Sequence, residues 1–372
     1  MINVTVLHNA DFPSAADAAD PGESDEPPRS PDYSPDDLAL RARADVELAA
    51  GAVTRALATF PDFQVHRVGV NSLAEIAHAI RERRPGLVFN LCESLDGRAD
   101  FEPAVAAVLE RHRVAYTGNP PRALLTCLRK SSCNAALRAA SVAVPATWRL
   151  VPGRPLPAGI EYPVIVKPDA EDGSTGIHSR SVVHDARALA AIVAELRETI
   201  GGPIIVQRYI EGREINIALL GQPLRALPLS EIDFGKLPAE LPRIVAYAAK
   251  WHPDSPEWNG CASVAADVGP TLAARLADIA RRTGQALGLR DYARIDVRVD
   301  GRGRPWVIDV NPNCDISPDA GFALAAARGG IDYPRLVHTI ALAARARAAV
   351  PRQRALHARR RVRRSEGSAL GL

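Results

Sequence analysis

The chain has 372 residues, 47% hydrophobic and 24% charged, the balance of an ordinary globular protein with room for two or three lobes. No run of eighteen apolar residues occurs, and Met1 to Ala10 lacks a basic start and a long apolar core, so neither a spanning helix nor a signal peptide is expected. The net charge of +3 is small, and the five cysteines (Cys92, Cys127, Cys133, Cys261, Cys314) are odd in number and lack C-x-x-C spacing, which argues against a disulfide framework or zinc site and for a reducing, cytoplasmic setting.

Ile2 to Leu7 reads as a first strand. Pro13 to Asp37 holds six prolines with many acids and serines and reads as a loop too polar to bury. Leu38 to Phe60 is rich in alanine and leucine and predicts a helix. Val65 to Val70 predicts a second strand, Ser72 caps a helix running to Arg83, Leu87 to Leu91 is a buried third strand, and Glu102 to Arg111 is a helix. This alternation predicts a parallel sheet with crossovers. Ligands of such sheets sit beyond the carboxyl ends of the strands, which places Asn9, Glu93 and Asp96 near a cleft.

Tyr116 to Pro120 is a turn and a lobe boundary. Pro121 to Ala140 is expected as one helix carrying Lys130. Pro163 to Pro168 is a strand, Asp172 to Gly176 a small-residue loop, Ser179 to Val183 a strand, Ala186 to Glu198 a helix and Ile204 to Ile210 a strand. Glu214 to Leu220 is a strand and Pro270 to Leu287 a helix. Ala293 to Val299 and Trp306 to Asn313 alternate around Asp300-Gly301-Arg302-Gly303-Arg304, the pattern of a β-hairpin. Tyr333 to Arg347 predicts a last helix. Nine arginines and no acid lie between Arg345 and Arg364; without interleaved aromatics this tail reads as a solvated or disordered extension rather than a nucleic-acid arm.

The chemistry begins at the hairpin. Arg294 and Asp296 are two apart and share a strand face, as do Asp309 and Asn311. Folding the hairpin brings Asp296, Asp309 and Asn311 together as three oxygen ligands suited to Mg²⁺. Two acids on a hairpin are more often only a solvent face; the upstream residues change that balance. Gly173 and Gly176 let backbone amides approach an anion, Ser174 and Thr175 add hydroxyls, and Lys167 ends the preceding strand.

In this order, lysine, small-residue loop, acidic strand start and metal hairpin, the sequence resembles the ATP-grasp ligases, and among them the D-alanine–D-alanine ligase group. The firmest matches are Phe89-Asn90-Leu91, Tyr116-Thr117-Gly118, Val166-Lys167-Pro168, Gly173 to Gly176, Glu211-Gly212-Arg213-Glu214, Arg294-Ile295-Asp296 and Asp309-Val310-Asn311-Pro312. The resemblance implies an α/β ATP-grasp fold with an N-terminal parallel-sheet domain over 1–118, a central lobe with the phosphate loop over 119–202, a metal-bearing lobe over 203–345 and the basic tail over 346–372. It implies ATP and two Mg²⁺ ions, or Mn²⁺, as cofactors, small amino-acid or amine substrates, no membrane partner and a homodimer. Lys130, Lys167 and Lys250 would meet phosphates under the lid Gly173-Ser174-Thr175-Gly176. Gln207, Arg208 and Ile210 would form the adenine hinge, and Glu214 would bind the ribose. Arg294, with Lys250 and Ser174, would serve the reaction itself, and Asp296, Asp309 and Asn311 would hold the metal.

The chain also departs from that group. Arg129-Lys130 and Asn134 replace an aspartate-lysine pair and a second lysine, Gln207-Arg208 replaces glutamate-lysine, Trp251 replaces a tyrosine, and Asp309 replaces a glutamate. The glutamate that grips the first amine has no secure counterpart; Asp45 and Glu47 are nearby. In the acceptor loop Asp315 stands at a glycine and Ala320 at a carboxylate-binding serine, with Ser317 as a substitute. Asp315 beside an acceptor carboxylate is unfavourable. The expectation is a carboxylate–amine ligase whose acceptor is not D-alanine. A true D-alanine–D-alanine ligase and a non-catalytic ATP-binding regulator are the rivals. Substrate contacts are expected from Asp45, Glu93, Asp315 and Ser317.

Overall fold

The computed structural model describes residues 1–10, 35–171 and 173–348, with the backbone alone over 35–44. Most of the expected proline-rich loop and the tail from 349 onward lie outside the described residues; Pro35 to Asp37 open a helix instead.

The amino-terminal lobe is built on β1 (Ile2–Asn9), followed by α1 (Pro35–Ala58), β2 (Phe63–Val70), α2 (Leu73–Arg83), β3 (Leu87–Asn90) and α3 (Glu102–Arg111). The strands are parallel in the order β2-β1-β3. The central strand β1 is buried from Val4 to Asn9, as a strand covered on both faces must be. Ser72 caps α2 by accepting from the Glu75 amide at 3.2 Å, and Arg84 ends it in a left-handed conformation.

The middle lobe holds α4 (Pro121–Cys127), α5 (Lys130–Ala139), β4 (Thr147–Leu150), β5 (Val164–Pro168), β6 (Val182–Val183), α6 (Ala186–Thr199) and β7 (Ile204–Arg208). Its antiparallel sheet runs β4-β7-β5-β6. Leu189, Ile192, Val193 and Leu196 lie on one stripe of α6 and pack on Val164, Val166, Ile204 and Val206.

The last lobe holds β8 (Arg213–Gly221), β9 (Arg225–Ala226), β10 (Ser230–Asp233), α7 (Ala248–Trp251), α8 (Pro256–Gly260), β11 (Ala262–Ala265), α9 (Pro270–Leu287), β12 (Asp291–Val299), β13 (Pro305–Asn311), α10 (Gly321–Arg328) and α11 (333–348). The strand order is β11-β10-β8-β12-β13, with β9 on β8. Helix α9 covers this sheet and stops at Gly288, whose φ of 67° suits a residue without Cβ. Leu336, Val337, Ile340 and Ala341 of α11 share a core with Val4, Val6 and Leu57, so the last helix packs on the first lobe.

Two expected elements are corrected. The single helix over Pro121 to Ala140 is two, because Arg129 is extended (φ −113°, ψ 116°) and Lys130 opens a new helix. The strand expected at Ser179 to Val183 is a 3₁₀ turn at Ser179–Ser181 followed by a two-residue strand. The hairpin forms, with Asp300 accepting from the Arg302 and Arg304 amides at 2.9 and 3.0 Å to set its turn.

Candidate nucleotide and metal site

One cavity of about 290 Å³ is lined by residues of α5, β5, β7, β8, β10, β12 and β13, together with the loops at 171–177 and 244–250. The hairpin supplies its acidic wall. Asp296 pairs in register with Asp309, and Arg294 with Asn311, with a β-bulge just after Asp296. All four side chains line the cavity. Arg294 grips Asp296 with two bonds, Nε to Oδ1 at 2.8 Å and an NH2 group to Oδ2 at 3.0 Å. Asn216 on β8 donates to the same carboxylate at 2.8 Å. The Asp296 charge pushes the Arg294 guanidinium above its ordinary range. Burial opposes ionisation of Asp309, but Lys130, Lys167 and Arg294 outweigh it and hold that carboxyl below its usual value. Among the described residues no three His, Cys, Asp or Glu gather as a metal cluster; the hairpin offers two carboxylates and one amide. An all-oxygen set of that size fits Mg²⁺, which keeps waters and takes substrate oxygens for the rest.

Two lysines face these acids. Lys130 is buried at the first position of α5, with Nζ 3.8 Å from Asp309 Oδ2 and donating to the Glu171 carbonyl at 2.7 Å. Asp169, fully buried, explains why a helix starts there. Its carboxylate accepts from the Ser131 amide and hydroxyl, both at 2.7 Å, and its carbonyl accepts from the Lys130 amide at 2.8 Å. A carboxylate at a helix N-terminus satisfies donors the helix leaves open. Lys167 lies at the floor, donating to Gln207 Oε1 at 3.1 Å. Burial, aided by the nearby positive charges of Lys130 and Arg298, pushes Lys167 down to about 8, against the pull of Asp309 and Glu214.

The loop Gly173 to Gly176 is tied to a strap formed by residues 243–251. Ser174, itself left-handed (φ 64°), donates its hydroxyl to the Val245 carbonyl at 2.9 Å, and Trp251 Nε1 donates to the Gly173 carbonyl at 2.9 Å. Gly173 and Ser174 line the cavity, as does Lys250 on α7. Thr175 does not, and Gly176 is a packing glycine: a Cβ there would lie 2.3 Å from Ile200 Cδ1 and 2.8 Å from Pro168 Cγ.

At the other end of the cavity stand Gln207, Arg208, Ile210 and Glu214. The Arg208 and Tyr209 amides bond to the Ala146 and Pro163 carbonyls, so part of the backbone expected as an adenine hinge already serves the fold. Glu214 is buried and lies 3.2 Å from the guanidinium of Arg298; burial raises its carboxyl, opposed chiefly by that arginine.

The expected substrate residues do not join this cavity. Asp45, a candidate for holding the first amine, is exposed on α1 and is not among the residues that line this cavity. Glu93 lies where the carboxyl ends of β1 and β3 meet, its amide donating to Asn9 Oδ1 at 3.1 Å. Asp315 is exposed and accepts from the Ser317 amide at 2.8 Å, a local turn, and Ala320 precedes α10 without a side-chain cap. Asp169, Asn216 and Arg298 escaped the sequence reading. Arg298 carried one signal, its place on the same alternating face of β12 as Arg294 and Asp296.

Fold and cavity together define a D-alanine–D-alanine ligase-like ATP-grasp protein. The family described as "D-ala D-ala ligase C-terminus" matches residues 154–341, and the chain belongs to it. The chain is 33% identical to the uncharacterized protein y4sG of Sinorhizobium fredii over 259 residues, 69% of this chain and 74% of that one. It is 27% identical to the D-alanine–D-alanine ligase of Desulforudis audaxviator over 313 residues, 82% of this chain and 95% of that one. The structure of the D-alanine–D-alanine ligase of Bacillus anthracis complexed with ATP overlays with a TM-score of 0.69 at 16% identity, covering 94% of this chain and all of that one, a likeness of fold. No helix of the described residues is long and apolar enough to cross a membrane.

Proposed function

We propose that the chain is an ATP- and Mg²⁺-dependent carboxylate–amine ligase whose amine acceptor differs from D-alanine. The observation that carries this reading is the in-register pair Asp296–Asp309, facing buried Lys130 and Lys167 across one cavity. Asp296, Asp309 and Asn311 would hold Mg²⁺, which when bound neutralises phosphate charge.

A carboxylate is a poor electrophile at neutral pH, and transfer of the γ-phosphoryl group to its oxygen gives an acyl phosphate and ADP. That transfer needs alignment and charge neutralisation more than a strong base. Lys130 and Lys167 supply positive charge from buried positions where water screens little. The loop at Gly173 and Ser174, with Lys250 beside it, covers the phosphates. Gln207, Arg208 and Ile210 seat the base, and Glu214 accepts from the ribose. The amine then attacks the acyl carbon, oxyanion charge develops beside Arg294, and phosphate leaves with the C–O bond. Five free thiols, four of them buried, accord with a cytoplasmic setting.

The acceptor side supports a changed amine. Asp315 is exposed in the acceptor loop, and Ala320 offers no hydroxyl. An amine without a carboxylate, or with a second cationic group, suits Asp315 better than D-alanine does. The names of several relatives favour the second reading, a true D-alanine–D-alanine ligase. ADP formation across pairs of amino acids and amines decides. The proposal expects sustained, multiple-turnover ADP formation only when carboxylate, a nucleophilic amine, ATP and Mg²⁺ are all present, and little with D-alanine alone. Efficient D-alanyl-D-alanine synthesis would overturn the acceptor. A chain that binds ATP but turns over no pair would be a non-catalytic ATP-binding protein.

A further inference from the structure

Arg298 stands two residues beyond Asp296 on β12 and is 3% exposed. A buried guanidinium is costly unless its N–H groups are matched, and this one is matched from three directions. Nε donates to the Ile210 carbonyl at 3.0 Å and NH1 to Glu214 Oε2 at 3.2 Å. NH2 donates to the Tyr209 hydroxyl at 2.9 Å and to the Arg243 carbonyl at 2.7 Å. The Tyr209 and Phe234 rings lie against it, at 5.2 and 5.9 Å from their centroids. One side chain therefore joins the hinge, the start of β8 and the first residue of the strap 243–251. The strap continues to the phosphate loop through Val245 to Ser174, the Tyr247 amide to the Ile177 carbonyl at 2.8 Å, and Trp251 to Gly173.

We propose that Arg298 is a positioning residue for the nucleotide, fixing Glu214 and the hinge and anchoring the strap so that the base end and the phosphate loop are held as one unit. This rests on the nucleotide reading of the cavity and adds a residue to it. A guanidinium is suited to the task because its donors are fixed in one plane and reach several acceptors at once, which a lysine ammonium does not do.

The test is equilibrium binding of MgATP and steady-state kinetics for the wild type, R298M, R298K, E214Q and the double variant R298M/E214Q. The double variant removes both charges of the buried pair, so no lone carboxylate is left to unfold the chain. R298M is expected to raise the KM for ATP about tenfold or more, with kcat at saturating ATP lowered less than about threefold, and R298K to fall between it and the wild type. R298M/E214Q is expected to bind MgATP about tenfold more weakly than E214Q alone, because the contacts to Ile210, Tyr209 and Arg243 are still missing. Equal affinity of R298M/E214Q and E214Q, at equal melting temperature, would overturn the proposal and leave Arg298 a stabilising residue only. A wild type that binds no MgATP would overturn the nucleotide reading itself. R298K indistinguishable from the wild type would contradict the multi-acceptor argument even where R298M does not fold.

Discussion

The metal hairpin and the acceptor loop follow one another on the chain and are built in opposite ways. On the hairpin the two cavity carboxylates are each held by a residue remote in sequence: Asp296 by Asn216 as well as by its neighbour Arg294, and Asp309 by Lys130. In the acceptor loop the held groups are neighbours, Asp315 bonding the Ser317 amide and the Ser317 carbonyl receiving the Ala320 amide. Moving one hairpin residue disturbs strands β8, β12 and β13 together, whereas the loop can change residues within one turn. Under the proposed function, phosphoryl chemistry would belong to the braced hairpin and amine choice to the loop around Asp315, whose polar contacts are local.

Breaking the braced side has the largest expected effect. Arg294→Met leaves Asp296 with one neutral partner and removes the oxyanion donor; kcat/KM is expected to fall by about 10³ or more, measured as ADP release with the best substrate pair. Activity within about tenfold of the wild type would mean that the arginine only satisfies Asp296. Lys167→Met is expected next, at about 10²-fold, with the loss appearing in KM for ATP as well as in kcat.

The pH profile sharpens the same side. Lys167 is lowered to about 8 in the free protein, so it is charged below that pH and neutral above it. kcat/KM for ATP is therefore expected to fall as pH rises through about 8, while kcat holds to higher pH because bound phosphate favours the ammonium. The alkaline fall should vanish in Lys167→Met. A wild-type profile flat to pH 10 would contradict the role given to this lysine.

The loose side should respond by changing partner rather than by losing chemistry. Asp315→Gly is expected to shift preference among amines by about tenfold toward acceptors carrying a carboxylate, with ATP KM unchanged. The smallest effect is on stability. Gly176→Ala forces a Cβ at φ 70° against Ile200 and Pro168 and should cost about 1–3 kcal/mol, read as a lower melting temperature.

The same contrast separates what the sequence discloses from what it hides. The hairpin was legible because alternation and an Asp-Gly turn are local signals, and the amino-terminal parallel sheet followed from the alternation of strand and helix patterns. The break at Arg129 was not legible, since no glycine or proline marks it. It exists because Asp169, thirty-eight residues from Ser131, caps α5. The short strands β10 and β11 carry serine, acid and alanine and owe their form to pairing with each other and with β8.

The most direct test of the central claim is interception of the acyl phosphate with hydroxylamine. The donor carboxylate, ATP, Mg²⁺ and hydroxylamine, with no amine acceptor, are expected to yield the donor hydroxamate and ADP in equal amounts, and Asp296→Asn is expected to yield neither. Release of ADP without hydroxamate, or hydroxamate from Asp296→Asn at the wild-type rate, would contradict it.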